Sequence, residues 1–280
     1  MADAFFTKAP STFASYNITQ DQIVGLQACV NGKKTPEDAA KLLKTYPEAS
    51  PTPLELQQRL GGLWTLLNDT AVGIMSAQPK IIAILQVIRT FPNVEEPKGE
   101  GGDYMDFDDG FFWRELTGWA NDWADNYNHY GARFKIEPSQ GQERADRKQA
   151  WISANAYTAR LASTGDLALS SFGAALERAN YAIKHALERD HGDEEPDDLE
   201  AAAQLFIHAA PELRRLSVEG PQTEGTPRSY GLWHGQGGYS IERWRFWMER
   251  WAVLADVEGF STQARTAAGE ALKSMQKVRN

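Results

Sequence analysis

Cysteine is nearly absent. The 280-residue chain holds one, Cys29, which excludes an intrachain disulfide and fits a reducing compartment. Its place in an apolar helical stretch reads as an inert buried thiol. The opening residues, MADAFFTKAPSTF, lack a charged segment followed by an apolar one, so they are not a secretory signal. The longest apolar run, KIIAILQVI at 80–88, falls far short of the ~20 residues that cross a bilayer. A cytoplasmic protein with no membrane partner is the expectation. Positive charge is also in deficit, 29 Lys and Arg against 38 Asp and Glu for a net charge of −9. Nucleic acid is thereby set aside as a partner, because phosphate binding needs a concentrated positive field.

Several chemistries lack their motifs. There is no GxxxxGK[ST] loop and no GxGxxG after a strand; Gly235-Gln236-Gly237-Gly238 has neither strand nor lysine beside it. No histidine pair stands at HExxH spacing, and His185, His191, His208 and His234 fall in separate elements with no neighbouring cysteine. No transition-metal site and no cofactor are expected. No Ser-His-Asp or Cys-His arrangement is evident either.

What the chain does have is helical periodicity from end to end, with no sustained alternation of β-branched residues. The expected fold is all-α: a single compact bundle of about nine to ten helices with two long irregular loops. The domain boundaries read as an N-terminal extension over 1–18 and one helical domain over 19–280. Thr19 with Gln22 forms a capping-box pattern, and Thr35-Pro36-Glu37-Asp38 and Thr52-Pro53 are N-cap and first-turn proline signals. Gly61-Gly62 marks a bend or a close-packing point in the third of these helices. Further helices are expected over 111–130, 142–162, 166–189, 199–209 with Asp198 as cap, 240–256 and 261–278, and Pro211 forces a break. The irregular loops are 92–110 and 217–238.

Aromatic residues make up 11% of the chain, with nine tryptophans, and large rings gather in cores, at interfaces and around flat apolar ligands. Three of the nine lie within YSIERWRFWMERWAVL. At 100° per residue Trp244, Trp247, Met248, Trp251 and Leu254 form one stripe about 120° wide, a face to be buried, while Glu242, Arg245 and Glu249 share the solvated side. Arg243 and Arg250 land together at the margin of the stripe. They either pack their stems on rings and pair with acids, or point into a pocket as fixed donors toward a ligand oxygen. Trp119, Trp123 and Tyr127 recur on one face of the 111–130 helix in the same way. In AWISANAYTARL, Trp151, Asn155 and Thr158 share a face; the Asn155 amide must bond a neighbouring helix or a ligand, Arg160 is expected to pair with Glu177, and Tyr157 and His185 are possible acids or bases.

Carboxylates that hold magnesium on a diphosphate must converge from facing helices. Asp106, Asp108 and Asp109 come close in composition, and Asn121, Asp122 and Asp125 resemble half of a second metal motif of terpene cyclases. Neither completes the pattern, and N-capping or a wet helix face accounts for both.

Taken in order, GGLWTLLND, GFFWRELTGWANDW, WISANAYTARL, EAAAQLFIHAA and ERWRFWMER resemble a family of fungal all-helical proteins known only as a domain of unknown function. The most specific parts are W-x-x-x-N-x-aromatic-x-x-R-L, here Trp151, Asn155, Tyr157, Arg160 and Leu161, and R-W-x-F-W, here Arg243, Trp244, Phe246 and Trp247. Phe206 departs from the resemblance, which favours Trp there. Membership implies a fungal cytosolic protein, and fungal cofactor-free hetero-Diels–Alder cyclases of polyketide–terpenoid pathways look like relatives.

The leading functional expectation is therefore a cofactor-free cyclase, or pericyclase, of fungal secondary metabolism. It would act on a hydrophobic polyketide- or terpenoid-derived intermediate held in an aromatic-walled cavity that imposes the reactive conformer. Arg243, Tyr157 and Asn155 are its candidate catalytic donors. Trp119, Trp123, Tyr127, Trp151, Trp244, Trp247, Arg250 and Trp251 are its candidate substrate-binding residues. The alternatives are a non-catalytic helical protein that binds a small apolar ligand or a protein partner, and a metal-dependent terpene cyclase.

Overall fold

The computed structural model describes residues 2–92, 94–95, 97–98, 112–171, 175–220 and 231–278. Every regular element among them is helical: twelve α-helices and one short 3-10 turn. The described helices thus number twelve, more than the nine to ten expected, because a helix forms inside 1–18 and short pieces flank longer ones. The chain divides into two compact units, so the helical domain expected over 19–280 spans both. The first holds residues up to Ser139, joined by Ser171, and the second holds the remainder from Gln140 onward.

In the first unit the capping chemistry written in the sequence sets each helix start. Helix α1 (Ala2–Thr12) occupies the expected N-terminal extension and buries Phe6 and Ala9. Helix α2 (Gln20–Val30) opens on a complete Thr19–Gln22 capping box. Thr35 and Thr52 then cap α3 (Pro36–Glu48) and α4 (Pro53–Gly73), each with proline in the first turn. Gly62 is a close-packing point: a Cβ there would stand 2.1 Å from the Tyr16 carbonyl oxygen. A 3-10 turn, Met75–Ala77, leads into α5 (Gln78–Ile88). No single described helix is long and apolar enough to cross a membrane; α4 and the stretch Met75–Ile88 pass that test only together, and they are bent by 116°.

The aromatic helix expected over 111–130 begins later, as α6 (Trp119–Lys135). Leu116 and Gly118 take positive φ values of 50° and 80°, and a helix cannot propagate through such backbone. The seven residues before α6 instead form turns that bury Phe112, Trp113 and Leu116.

The second unit comprises α7 (Gly141–Ala162), α8 (Leu167–Ser170), α9 (Leu176–Leu187), α10 (Leu199–Glu219), α11 (Ile241–Ala255) and α12 (Thr262–Lys277). The helix expected over 166–189 is thus two, with residues 172–174 outside the described set. Helix α10 packs against α7, α9, α11 and α12. Its face explains this central place, since Ala201, Ala202, Ala203 and Ala209 are fully buried and let neighbouring backbones approach closely. The break expected from Pro211 appears as a kink at Ala209, at φ −135° and ψ 29°, inside an otherwise continuous helix. Ser240 and Ser261 cap α11 and α12 as their sequences imply.

Candidate functional site

Helix α11 carries the R-W-x-F-W motif, and its aromatic stripe is buried as expected. Trp244 is 4% exposed, and Trp247 and Trp251 are fully enclosed. Phe206 of α10 sits among the three, its ring centroid 6.1, 5.7 and 5.6 Å from theirs. Trp247 and Trp251 share that apolar setting and differ at the polar edge. The Trp247 indole N–H donates to Glu188 Oε1 at 2.8 Å, while the Trp251 N–H is buried without an acceptor.

Glu188, at the end of α9, is the residue that organises this face. It is 0% exposed. The Arg243 guanidinium grips it in a two-pronged pair, Nε to Oε1 and Nη2 to Oε2, both at 2.7 Å. The remaining Arg243 nitrogen, Nη1, donates to the Gly238 carbonyl. The guanidinium carbon also lies 5.2 Å from the Trp247 ring and 5.9 Å from that of Trp233. A buried charge needs pairing of this completeness, because removal from water costs several kcal/mol per ion. Leu232 N donates to the Glu188 carbonyl at 2.7 Å, and a Cβ at Gly231, whose φ is +61°, would clash with that oxygen at 2.4 Å. Glycine at 231 is what lets the chain close over Glu188.

Of the two arginines at the stripe margin, Arg243 is therefore occupied by protein groups. Arg250 donates from Nε to the Leu187 carbonyl at 3.1 Å, and burial pushes its guanidinium pKa down. In α7, Asn155 and Tyr157 are both fully buried, and the Asn155 amide donates to the Trp151 carbonyl one turn back, at 2.9 Å. Trp151 N–H reaches Asp198 Oδ1 at 2.7 Å. Asp198 stands at the N-cap position of α10 but makes no side-chain cap bond; its carboxylate serves Trp151 and stands 3.6 Å from His185 Nδ1. The expected Arg160–Glu177 pair does not form among the described residues. Burial instead lowers the pKa of Arg160, whose charge, after burial itself, helps push His208 down to about 4.

Trp119, Trp123 and Tyr127 belong to the first unit, and the other eight candidate residues belong to the second. In the first unit Trp119 and Trp123 are fully buried. Trp119 N–H donates to Asn68 Oδ1 at 3.1 Å, and Asn68 in turn donates to Asp122 Oδ2 at 2.8 Å. Asn126 and Thr65 complete the set on Asp122 at 2.9 and 3.3 Å. Nearby, Tyr130 donates to Asp69 at 2.7 Å. Burial pushes the Asp122 carboxyl up to about 6, against the Asn68 hydrogen bond and with help from the Asp69 charge. Asp69 is raised as well, chiefly by burial.

No group of three or more His, Cys, Asp or Glu is placed to hold a metal ion among the described residues. Asp106, Asp108 and Asp109 lie outside them. Asn121 and Asp125 are exposed on α6, and Asp122 faces the amides of Asn68 and Asn126.

An open cleft of about 510 Å³ lies among α10, α11 and α12. Ile241, Trp244, Met248, Met275 and Val278 give it an apolar lining, and Arg214, Arg245 and Gln276 supply its polar groups. Of these, the sequence made Trp244 alone a candidate site residue, placing Met248 on the buried stripe and Arg245 on the solvated side. Arg214 and Met275 carry no local signal, because the cleft exists only once α10 and α12 flank α11. A second cavity, of about 420 Å³, lies between α2 and α3 in the first unit.

These features define an all-α protein in which tryptophan N–H groups and buried carboxylates tie helices together. The chain matches the family described as Protein of unknown function (DUF3632) over residues 64–251, about two thirds of its 280 residues, and it belongs to that family. No curated protein and no solved structure matches it.

Proposed function

We propose that this chain binds a hydrophobic small molecule in the cleft among α10, α11 and α12. The observation that carries this reading is the cleft itself. About 510 Å³ of space meets an indole, two methionines and an isoleucine beside two arginines, within the volume range of small-molecule sites. The tryptophan stripe supports the cleft from behind. Its rings and the Glu188–Arg243 pair fix α11, and a site on rigid helices holds its geometry better than one on loops.

A catalytic form of the same reading is a cofactor-free cyclase of fungal secondary metabolism, of the hetero-Diels–Alder type, acting on a polyketide- or terpenoid-derived intermediate. A pericyclic step needs orientation against an apolar wall and a few hydrogen-bond donors. Arg243, gripped by Glu188, is a poor candidate donor, and Arg214 and Arg245 at the cleft take that role.

Two measurements test these readings. Titration with Nile red, a neutral apolar dye, is expected to give saturable binding that Met248→Trp abolishes by filling the cleft, with the thermal transition retained. Dye binding that survives Met248→Trp unchanged removes the cleft assignment. For catalysis, purified protein is incubated with a set of polyketide- and terpenoid-derived intermediates and the products are analysed. No change in product distribution relative to buffer, across the whole set, defeats the cyclase form.

A further inference from the structure

Helix α2 ends in a motif that demands a glycine. Asn31 is its C-cap, at φ −78° and ψ 3°, and Gly32 follows at φ 75°. The Gly32 amide donates to the Cys29 carbonyl at 2.9 Å and the Lys33 amide to the Ala28 carbonyl at 2.7 Å, the doubled closure that a left-handed residue gives a helix end. The residue before that glycine serves a second purpose. Asn31 Nδ2 donates to Asp3 Oδ1 at 3.4 Å, and among the described residues this is the one hydrogen bond that ties α1 to another helix. The rest of the α1 seat is apolar, made by the buried Phe6 and Ala9 and by Phe5, whose ring lies 2.6 Å from where a Cβ on Gly73 would stand.

These two demands, a donor and then a glycine, create the only Asn-Gly step in the chain, and both of its members are exposed. Glycine brings no side chain to hinder attack of its nitrogen on the neighbouring amide carbon. We infer that Asn31 is a modification site, converted to an acid by spontaneous deamidation, and that the acid loosens α1 from α2. The Gly32 nitrogen bonds to the side-chain carbonyl carbon of Asn31, the bond from that carbon to Nδ2 breaks, and ammonia departs with the proton that the Gly32 nitrogen gives up. Water then opens the cyclic succinimide at one of its two carbonyls. One product is aspartate; the other is isoaspartate, whose main chain runs through the side-chain carbon. No oxidant or reductant takes part. In the closed helix end Cys29 engages the Gly32 amide, so the attack proceeds from the frayed last turn, where opening costs little.

The product turns an attraction into a repulsion. A donor amide becomes a carboxylate facing the Asp3 carboxylate, and its charge sits at the C-terminal end of α2, where the helix dipole already disfavours an anion. Lys80, whose Nζ donates to the Cys29 and Val30 carbonyls at 3.1 and 2.7 Å, offsets part of that charge without restoring the tie to α1. Isoaspartate also adds a main-chain carbon ahead of Gly32 and upsets the spacing on which the two end hydrogen bonds depend.

Full-length protein held at pH 8.5 and sampled over time for peptide mass tests the chemistry. Conversion is expected at Asn31 before any other asparagine, more slowly in the folded protein than in urea, and Asn31→Gln, whose longer side chain cyclises poorly, should stay unmodified at that position. Hydrogen exchange then reads the tie. The α1 amides of Asn31→Asp should exchange about two- to fivefold faster than those of wild type, the scale of one charge at a helix end. Asn31→Ala, which loses the donor and gains no charge, should fall between the two. Adding Asp3→Asn to Asn31→Asp sets an amide opposite a carboxylate again and should slow the exchange. An Asn31 still intact in the folded protein when the unfolded chain has converted, or another asparagine that converts first, overturns the modification site. Exchange in Asn31→Asp equal to that of wild type, or a double variant no slower than Asn31→Asp, overturns the coupling to α1.

Discussion

Glu188 in the second unit and Asp122 in the first are both carboxylates held among helices, Glu188 fully buried and Asp122 partly so, and each accepts three hydrogen bonds. They differ in the company they keep. Glu188 meets a guanidinium and an indole, so a positive charge faces it at 2.7 Å. Asp122 meets two amides and a hydroxyl, all neutral, with a second acid, Asp69, close enough to oppose its ionisation. The first arrangement neutralises a buried charge and fixes helix positions. The second leaves a carboxyl whose protonation is an open variable near pH 6. Burial of an acid thus says little about its role until the sign of its partners is known.

The strongest way to break the contrast is to remove one side of the Glu188 pair. Glu188→Ala strands the Arg243 charge in the interior and is expected to cost about 3–5 kcal/mol, by analogy with other broken buried pairs. Urea unfolding of the two proteins measures it, and a loss below about 1 kcal/mol, the scale of an exposed pair, would show the pair to be dispensable. Arg243→Lys keeps the charge and loses the fork, so it should fall between that value and wild type. Its effect belongs to folding. If stability were unchanged while ligand binding fell, Arg243 would return to the list of ligand donors.

A smaller effect separates Trp247 from Trp251. Both indoles are fully buried and equally close to Phe206, so Phe at either position removes a similar volume. Only Trp247→Phe takes a donor from a charged oxygen, and it should be the more damaging by about 1.5–3 kcal/mol, the worth of a hydrogen bond to an ionised group. Equal losses in thermal or urea unfolding would mean that the Glu188 pair does not need the indole.

The local parts of this structure were readable in the sequence, and the partnerships were not. Thr19, Thr35, Thr52, Ser240 and Ser261 announce helix starts because a cap acts within four residues of itself. The burial of the Trp244–Trp251 stripe follows from helical period alone. Glu188 carries no such mark. Its partner lies 55 positions away, and nothing in ALERD distinguishes it from a surface glutamate. Asp198 shows the same limit from the other side: its position before α10 is a cap position, yet a tryptophan 47 residues earlier takes its oxygen. The late start of α6 was hidden because Leu116 adopts a positive φ, which side-chain periodicity does not register. The cleft was equally invisible, since period assigns Arg245 to the wet side of α11 without saying that α12 rises beside it.

The smallest expected effect sharpens the Asp122 side of the comparison. Its carboxyl stands at about 6 in the folded chain against an ordinary value of 3.8. Between those two values the native state holds the proton more tightly than the unfolded chain, so this group adds stability as pH falls from about 7 to about 4. The full shift corresponds to roughly 3 kcal/mol, and partial access to solvent reduces the observable gain to about 1–2 kcal/mol. Asp69 shifts in the same direction. Asp122→Asn keeps the shape, lets its oxygen accept from Asn68 and Asn126, lets its nitrogen meet the Thr65 hydroxyl, and removes the titration. The difference in unfolding free energy between wild type and Asp122→Asn, read from urea unfolding, should therefore change by about half that amount between pH 7.5 and pH 5, where the window has been only partly crossed. A difference that stays constant over this range would place the Asp122 proton elsewhere and make its network as pH-indifferent as a fixed helix tie.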